Sequence, residues 1–423
     1  MKYFRVHVYL SVKNFIKSFF FTIYREKYDS KINTILIKSS KKKFAVLTSQ
    51  CRIGFLLVLK YLKKKIFKKN EIIFLAYNLP EMINVAKNLN FKIILCDLDY
   101  KTGFYNLKKL KKKINNRTAA IVLTNMFNSY EQALKLKKIC KTKKIYLIED
   151  NAIYFDNYRI LKKEKKYSGT LGDFTLYSFN IMKNISALYG GAVTSNDKNF
   201  NIFSKGKISE FSIFPRTILF KQAIIFFILK ILSVNLFYKY FFFKIIKYTY
   251  INNVRFLLNL FYPSLKFKVK NFPSYYFTDI SLLSKKLVFH QLTNYKKRNQ
   301  NHERRKSNNV YYYSKLNNSK IKQIEFIKIS DFNYQNFIDF PILVKKRLEL
   351  NNFLLKSGIE CRLYYYKNCE KIFNKSRRLH CFNSKKFENK VICLPNGEKI
   401  TFKYIDYIVQ TISNFYSKKR NYL

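Results

Sequence analysis

Apolar residues recur with two alternating periods along residues 44–207, and this alternation predicts a succession of strands and helices. Short apolar runs predict strands over residues 71–76, 91–96, 119–124, 144–150 and 174–179. Apolar residues at helical spacing predict helices over residues 53–62, 80–89, 107–114 and 130–140. Because strands that alternate with helices through short connections form mostly parallel sheets, we expect an α/β fold with a mostly parallel central sheet wrapped by helices.

The two ends of the chain follow other patterns. Residues 1–43 mix aromatic and basic residues, and we interpret them as an N-terminal arm with a helix from Val12 to Tyr24. A helix is predicted over 279–290, followed by a very basic stretch over 296–316. The C-terminal part predicts a strand over 339–344, a helix over 348–358, a strand over 391–395 and a helix over 402–416.

Residues 208–266 form a hydrophobic and basic segment that interrupts this order. Phenylalanine, isoleucine, leucine and tyrosine dominate it, but lysines break every apolar run before the roughly 18 residues that a membrane-spanning helix needs. These lysines are Lys221, Lys230, Lys239, Lys244 and Lys247. We therefore predict a helical hairpin that lies on a surface. The segment would contact an anionic membrane interface. The alternative is that it packs internally or against a second subunit.

Length and charge narrow the class of protein. A chain of 423 residues with 48% hydrophobic content can hold one large and one smaller globular domain. A formal charge of +57 would ordinarily indicate a nucleic-acid or membrane partner. The lysines are scattered along the whole chain, and glycine, proline and tryptophan are depleted, so we interpret the charge as compositional drift. A functional basic surface is the alternative, and no specific nucleic acid is expected.

Cysteine and histidine usage favours a reducing compartment and no metal site. The seven cysteines form no CxxC pair, and most lie in apolar stretches as reduced core residues do. The four histidines are isolated from one another. The N-terminus has neither an uninterrupted apolar stretch of signal-peptide length nor a small-residue cleavage site. We expect a cytoplasmic protein.

Candidate chemistry concentrates where the scarce glycines cluster. The chain has nine glycines, and four of them are Gly169, Gly172, Gly190 and Gly191. Between the two pairs, a predicted strand delivers Ser178 and then Lys183 to one end, while the preceding strand ends at Glu149-Asp150. A lysine can form a Schiff base, a hydroxyl can bind phosphate, and a carboxylate can keep a pyridine nitrogen protonated. The set suits an aldehyde cofactor that carries a phosphate and a basic ring nitrogen.

Four sequence blocks here resemble the DegT/DnrJ/EryC1/StrS sugar aminotransferases. The blocks are Glu149–Ala152, Ser168–Asp173, Ser178–Asn184 and Gly190–Ala192. The resemblance runs from about residue 44 to the C-terminus, without the 208–266 segment. It implies the pyridoxal-phosphate fold type I. Residues 44–207 would form the large cofactor-binding α/β domain, and residues 267–423 an interdomain helix and a smaller C-terminal α+β domain.

The resemblance also implies roles for individual residues. Lys183 would form the Schiff base to pyridoxal 5'-phosphate and move protons, and Asp150 would face the pyridine nitrogen. Ser178 would bind the cofactor phosphate together with the helix start at Cys51 and Arg52, where the matching place in the family carries a glycine that this chain lacks. A plain core helix is the alternative there.

The activity implied is transfer of an amino group from an amino acid, with glutamate as the expected donor, to a nucleotide-linked keto-sugar for surface polysaccharide or amino-sugar biosynthesis. Dehydratase-like members replace the lysine, so Lys183 favours transamination. Family members are dimers with shared active sites, so a homodimer is expected.

Some positions depart from the family pattern or leave a choice. Tyr77 is the candidate for the ring that stacks on the pyridine, with Leu79 as the alternative position. Many members carry glutamine where this chain has Ile153, and Ser274 and Tyr276 stand where the family has asparagine and arginine. Two alternatives to an active enzyme stay open, and these departures motivate the first of them. One is a catalytically degenerate cofactor-binding relative, and the other is a membrane-surface interaction protein that uses residues 208–266.

Overall fold

A computed structural model describes residues 2–4, 8–20, 28–127, 130–153, 155, 167–252, 254, 272–328, 338–363, 366–373 and 380–418. The strands are β1 Phe44–Thr48, β2 Glu71–Leu75, β3 Tyr77–Asn78, β4 Lys92–Cys96, β5 Thr118–Thr124, β6 Tyr146–Asp150, β7 Phe174–Ser178, β8 Gly191–Ser195, β9 Ile324–Phe326, β10 Phe340–Val344, β11 Lys367–Asn368 and β12 Val391–Leu394.

The helices are numbered in the same way. They are α1 Val12–Phe20, α2 Tyr28–Ser40, α3 Cys51–Lys65, α4 Pro80–Asn88, α5 Leu107–Lys113, α6 Tyr130–Thr142, α7 Lys198–Ser209, α8 Arg216–Leu232, α9 Asn235–Ile251, α10 Leu282–Thr293, α11 Tyr295–Asn318, α12 Arg347–Lys356, α13 Glu370–Phe373, α14 Phe382–Lys390 and α15 Phe402–Lys418. Helix α9 contains a π-helical turn over Tyr238–Phe242.

A seven-stranded sheet organises the large domain in the order β1-β8-β7-β6-β5-β2-β4. Neighbouring strands from β7 through β4 pair in parallel, and β8 runs antiparallel to both β7 and β1. Parallel strands must be connected by crossovers, and the predicted helices α4, α5 and α6 lie between β2, β4, β5 and β6 along the chain. The mostly parallel α/β sheet expected from the alternating pattern is therefore confirmed.

Apolar layers cover both faces of this sheet. On one face, α3 is buried along most of its length and packs with α4 against β2, β5 and β7. On the other face, α6 and the small domain share one continuous apolar core with β2 and β5. The small domain consists of the antiparallel sheet β12-β10-β9 with α12 and α15. The C-terminal strand–helix–strand–helix order is therefore as predicted.

The N-terminal region is a packed part of the large domain. Helix α1 covers Val12–Phe20 of the predicted helix, whose last residues lie outside the described ones. Helix α2 was not predicted, and its apolar side packs with α1, α8 and α10 in a third core cluster. The strand β8, which begins at a glycine, was also not predicted. The β3–β11 pair was missed because each of its strands has two residues.

The hydrophobic segment is helical as predicted, but its two helices do not form a hairpin. Helices α8 and α9 meet at an angle of 76°. Within the described residues, no single helix is both long and apolar enough to cross a bilayer, and only this bent pair reaches the required length and composition together. Residues 253 and 255–266 of the predicted segment lie outside the described residues.

Candidate active site

Two of the predicted side chains lie on neighbouring parallel strands at the carboxyl edge of the sheet. Asp150 is the last residue of β6 and pairs with Leu176 of β7, so Ser178 lies two residues further along the adjacent strand. Asp150 is almost fully buried, with 4% of its surface exposed. Ligands of α/β sheets bind beyond this edge. The position expected for both residues from the strand order is thus the one observed.

The chain that follows Ser178 forms a loop that carries Lys183, and two pairs of reciprocal hydrogen bonds fasten it. The Asn184 side chain accepts from the N–H of Phe155 at 2.9 Å and donates to its carbonyl at 2.6 Å. The Gln291 side chain accepts from the N–H of Ser186 at 3.0 Å and donates to its carbonyl at 2.6 Å. Lys183 is therefore held on a loop that is anchored immediately after it.

Lys183, Asp150 and Cys51 lie near enough for their charges to influence one another. Burial lowers the pKa of the half-buried Lys183, and the negative charge of Asp150 partly opposes this. Burial raises the pKa of Asp150, while the N–H of Ala152 and the charge of Lys183 act in the opposite sense. Burial also raises the pKa of the Cys51 thiol, followed by the charge of Asp150. Cys51 is thus a neutral group beside an acid–amine pair.

The N-terminus of α3 meets the same space next to Ser178. Gly191 pairs with Ser178 in the sheet, and a Cβ atom at Gly191 would lie 2.3 Å from the backbone nitrogen of Cys51. The missing side chain thereby lets the strand lie directly against the helix start. Among the described residues, no side chain caps α3, and Nε2 of the buried Gln50 has no hydrogen-bond partner.

An uncapped helix start with an orphaned buried amide and an adjacent hydroxyl fits an anion. The first N–H groups of a helix have no partner within the helix, and the helix dipole favours negative charge there. Phosphate is the anion that such a site commonly binds. The residues present therefore fit a cofactor that carries a phosphate at one end and reaches the acid–amine pair at the other.

Arg52 is engaged on the side of α3 by two partners. Its Nη1 donates to the hydroxyl of Tyr276 at 2.6 Å and lies 3.0 Å from Oε2 of Glu81. Tyr276 is buried, and its carbonyl accepts a hydrogen bond from Ser49 at 3.2 Å. The charge of the Arg52 guanidinium is therefore balanced by Glu81. The backbone N–H of Arg52 is the group that can bind an anion at the helix start. Tyr276 acts as a support for this arginine.

Tyr77 lies in the core and presents no surface. None of its surface is exposed, and its hydroxyl accepts a hydrogen bond from the N–H of Tyr366 at 3.2 Å. Its ring packs edge-on against Tyr366 and Phe387. Stacking on a cofactor requires an accessible ring face, so the predicted role of Tyr77 does not agree with this packing. Leu79, the alternative position, is half-buried.

Glu149 has a structural role that the sequence did not reveal. Its buried carboxylate accepts from the N–H groups of Gly169 at 2.6 Å, Leu171 at 2.9 Å and Gly172 at 2.8 Å, and from the side chain of Asn125 at 2.9 Å. The loop before β7 is therefore wrapped around one carboxylate. Alternation along β6 gives the two adjacent acids opposite directions, so Glu149 holds this loop while Asp150 faces Lys183.

The positions that depart from the family pattern are also located. Ile153 is buried in the core shared by the two domains. Ser274 is exposed at the start of a short 3-10 helix that ends at Tyr276. An apolar side chain at 153 offers no hydrogen bond to a ligand, so any polar contact to a cofactor must come from other residues.

Comparison with known proteins gives one family. The model of the DegT/DnrJ/EryC1/StrS aminotransferase family matches residues 11–203 and 283–413, which is more than half of the chain. An uncharacterized protein, MJ1066, of Methanocaldococcus jannaschii is 30% identical over 156 residues, covering 37% of this chain and 39% of that protein. The GDP-perosamine synthase of Escherichia coli O157:H7 is 29% identical over 129 residues, covering 30% of this chain and 34% of that enzyme. The chain thus matches well under two thirds of the length of these relatives.

Solved structures with the same fold cover nearly the whole chain. The E. coli GDP-4-keto-6-deoxy-D-mannose-3-dehydratase, solved with bound hydrated PLP, superposes with a TM-score of 0.70 at 17% identity, covering 97% of this chain and 99% of that one. The Helicobacter pylori aminotransferase PseC gives a TM-score of 0.67 at 16% identity, covering 99% and 100%. At these identities, the similarity establishes the fold.

Proposed function

The chain belongs to the DegT/DnrJ/EryC1/StrS aminotransferase family, and we propose that it is a pyridoxal-phosphate-dependent aminotransferase that acts on a nucleotide-linked keto-sugar. The observation that carries the proposal is geometric: Asp150 and Ser178 end adjacent parallel strands beside the uncapped start of α3, and Lys183 lies on the anchored loop that follows Ser178. Relatives of this chain include enzymes named as perosamine synthases and as nucleotide-sugar dehydratases, which supports a sugar nucleotide as substrate.

The cofactor, when bound, would supply an electrophilic aldehyde and a ring that stabilises negative charge next to it. Ser178 and the N–H groups of Cys51 and Arg52 would bind its phosphate. Asp150 would accept a hydrogen bond from the ring nitrogen and keep that nitrogen protonated. These contacts orient the aldehyde toward the loop that carries Lys183.

Lys183 would attach the cofactor and then carry the proton that amino transfer requires. Burial lowers the pKa of its amine, so a larger share of the amine is neutral and nucleophilic near neutral pH than for an exposed lysine. Asp150 opposes this shift and keeps the amine able to take up a proton again. The pair therefore suits a group that alternates between base and acid.

The first experiment separates cofactor binding from catalysis. Full-length protein incubated with pyridoxal 5'-phosphate should give an absorbance band at about 410–430 nm, as a lysine-bound aldehyde cofactor does. The band should be absent in Lys183→Ala and unchanged in Lys207→Ala, whose exposed lysine pairs only with Glu210 among the contacts described. Failure of the wild-type protein to give the band would refute cofactor binding at Lys183.

Turnover decides between an enzyme and a degenerate relative. Glutamate should remove the band and release 2-oxoglutarate, and nucleotide keto-sugars should then gain an amino group that mass spectrometry detects. A band that glutamate and other amino acids leave unchanged would favour the catalytically degenerate relative. Loss of water from the sugar without gain of nitrogen would identify a dehydratase instead.

We also propose that the protein is a cytoplasmic homodimer, as the resemblance implies. All seven cysteines lie in the described part of the chain, and each is buried with a free thiol, which fits a reducing compartment. Sedimentation equilibrium of the purified chain tests the dimer, and a monomer at all concentrations would contradict it. The alternative of a membrane-surface protein concerns other elements of the molecule and does not compete with this site.

A further inference from the structure

Helix α8 leaves an apolar stripe uncovered along its length. Phe220, Ile224, Phe227 and Ile231 recur at intervals of three or four residues, so they lie on one face of the helix. Their exposed fractions are 70%, 45%, 38% and 52%, respectively. Soluble proteins seldom leave so many large apolar side chains together in water, and such surfaces mark contacts with another protein or a membrane.

Helix α9, which begins three residues after the end of α8, carries a second exposed stripe. Phe237, Phe241, Ile245 and Tyr248 follow helical spacing, and each is exposed by 43% or more. Phe237 and Phe241 stack with ring centroids 5.4 Å apart. Because α8 and α9 meet at 76°, the two stripes extend the exposed apolar surface in two directions.

A third stripe comes from the N-terminal helix α1. Val12, Ile16 and Phe19 are exposed by 37%, 44% and 55%, respectively. Helix α1 packs on α8 through Phe15, whose ring centroid lies 5.0 Å from that of Phe226. The exposed faces of α1, α8 and α9, residues 12–19 and 216–251, are called the basic apolar face below.

The opposite sides of these helices are firmly packed, so the exposed side is not a consequence of loose structure. Phe226 and Leu232 of α8 are buried. Tyr238 of α9 is fully buried, and its hydroxyl donates to Oε2 of the buried Glu360 at 2.6 Å. The helices are therefore fixed to the body of the protein with their apolar stripes facing outward.

Charge on this face has one sign only. Residues 2–20 and 211–252 contain no aspartate or glutamate. Lys13, Lys17, Lys221, Lys239 and Lys244 are exposed beside the apolar stripes. In addition, burial and then the charges of nearby lysines on α9 lower the pKa of Lys2, so these ammonium groups lie close together. A partner that carries negative charge would relieve their repulsion.

We propose that the basic apolar face binds the surface of an anionic lipid bilayer. Helices with aromatic and aliphatic residues on one side and lysines beside them lie in the headgroup region, where both kinds of side chain are satisfied. A second copy of the chain suits this face less well, because its matching face would bring further lysines and no acid to pair with them. Nucleic acid would match the charge but leave the phenylalanine and isoleucine side chains in water.

Vesicle co-sedimentation of the full chain tests the proposal. Vesicles of equimolar phosphatidylcholine and phosphatidylglycerol should bind the protein, and vesicles of phosphatidylcholine alone should bind it far more weakly. Lys239→Gln with Lys244→Gln should weaken binding by about fivefold for each lysine removed. Phe237→Ser with Phe241→Ser should also weaken binding, whereas Lys111→Gln with Lys112→Gln, on exposed α5, should not.

Several results would overturn the proposal. These are absence of binding to the anionic vesicles, equal loss in the α5 control, and binding that survives both pairs of substitutions on α9. Dissociation of a dimer by the Phe237 and Phe241 substitutions, measured by light scattering, would instead assign the face to subunit contact. An unchanged circular dichroism spectrum and thermal midpoint in all variants would show that they fold, so the test is independent of the proposed activity.

Discussion

Replacing Gly191 by alanine tests whether the contact between β8 and α3 builds the phosphate site. The new Cβ atom would lie 2.3 Å from the nitrogen of Cys51, 2.6 Å from the carbonyl carbon of Gln50 and 2.7 Å from Cα of Cys51. All three are backbone atoms, so no side-chain rotation relieves the overlap. The helix start must retreat by roughly 1 Å to reach the 3.4 Å of an ordinary contact.

This retreat separates the N–H groups of the helix from the Ser178 hydroxyl and so weakens the hold on a phosphate. A hydrogen bond to a charged group contributes about 1.5–3 kcal/mol, and losing one corresponds to roughly a 10- to 150-fold weaker affinity. We therefore expect the dissociation constant for pyridoxal 5'-phosphate to rise by this factor in Gly191→Ala. Spectroscopic titration of the cofactor-free protein measures it.

Pyridoxal without phosphate is the matched ligand, because it reacts with Lys183 but makes no phosphate contact. Its affinity should change little in Gly191→Ala. Gly206→Ala is the matched variant, because a Cβ there meets nothing within 4 Å and lies in α7, where alanine should stabilise the helix by about 0.5–1 kcal/mol. A folded Gly191→Ala protein that binds the phosphorylated cofactor as tightly as wild type, or that loses both ligands equally, would refute the reasoning.

Three further changes test other parts of the site. Glu149→Gln leaves two of its hydrogen-bond donors facing an amide NH₂ and should destabilise the protein by roughly 3 kcal/mol or more, so an unchanged thermal midpoint would contradict its role. Asp150→Asn removes the charge that raises the pKa of Lys183, so the pH at half-maximal rate of reaction with pyridoxal should move to lower values. An unchanged pH midpoint would show that the charge of Asp150 does not influence the pKa of Lys183. Gln291→Leu leaves the N–H and carbonyl of Ser186 without these partners and should lower the free energy of unfolding by roughly 2–3 kcal/mol, since each of the two lost hydrogen bonds costs about 1–1.5 kcal/mol. An unchanged thermal midpoint would contradict the anchoring role of Gln291.

The sheet and the edge that carries the candidate site could be predicted because both depend on local patterns. Runs of apolar residues identify the parallel strands, and the rule for their carboxyl ends then brings Asp150 and Ser178 together. The position of Lys183 follows from the short loop after Ser178. The sequence pattern does not show how this loop is anchored, because its partner Gln291 is more than a hundred residues away in sequence.

Tyr77 illustrates a feature that spacing alone does not determine. It follows β2 directly, so the strand rule predicts it at the ligand-binding edge. The chain instead turns at Ala76 into the short strand β3, which pairs with Asn368 of β11. This long-range pairing directs the tyrosine into the core of the small domain. Side-chain direction after a strand end depends on such partners, and a single sequence does not reveal them.

The distribution of glycine connects the composition of the chain to its site. In a chain with nine glycines in 423 residues, most positions that tolerate a side chain carry one. At Gly169, Gly172 and Gly191, a Cβ would lie 2.9, 2.5 and 2.3 Å, respectively, from its nearest atom. The first two lie in the loop held by Glu149, and the third forms the contact between β8 and α3. At Gly172 and Gly191 the nearest atom is a backbone atom, so the backbone leaves no room for a side chain, and at Gly169 the positive φ of 93° and two side-chain ends disfavour one.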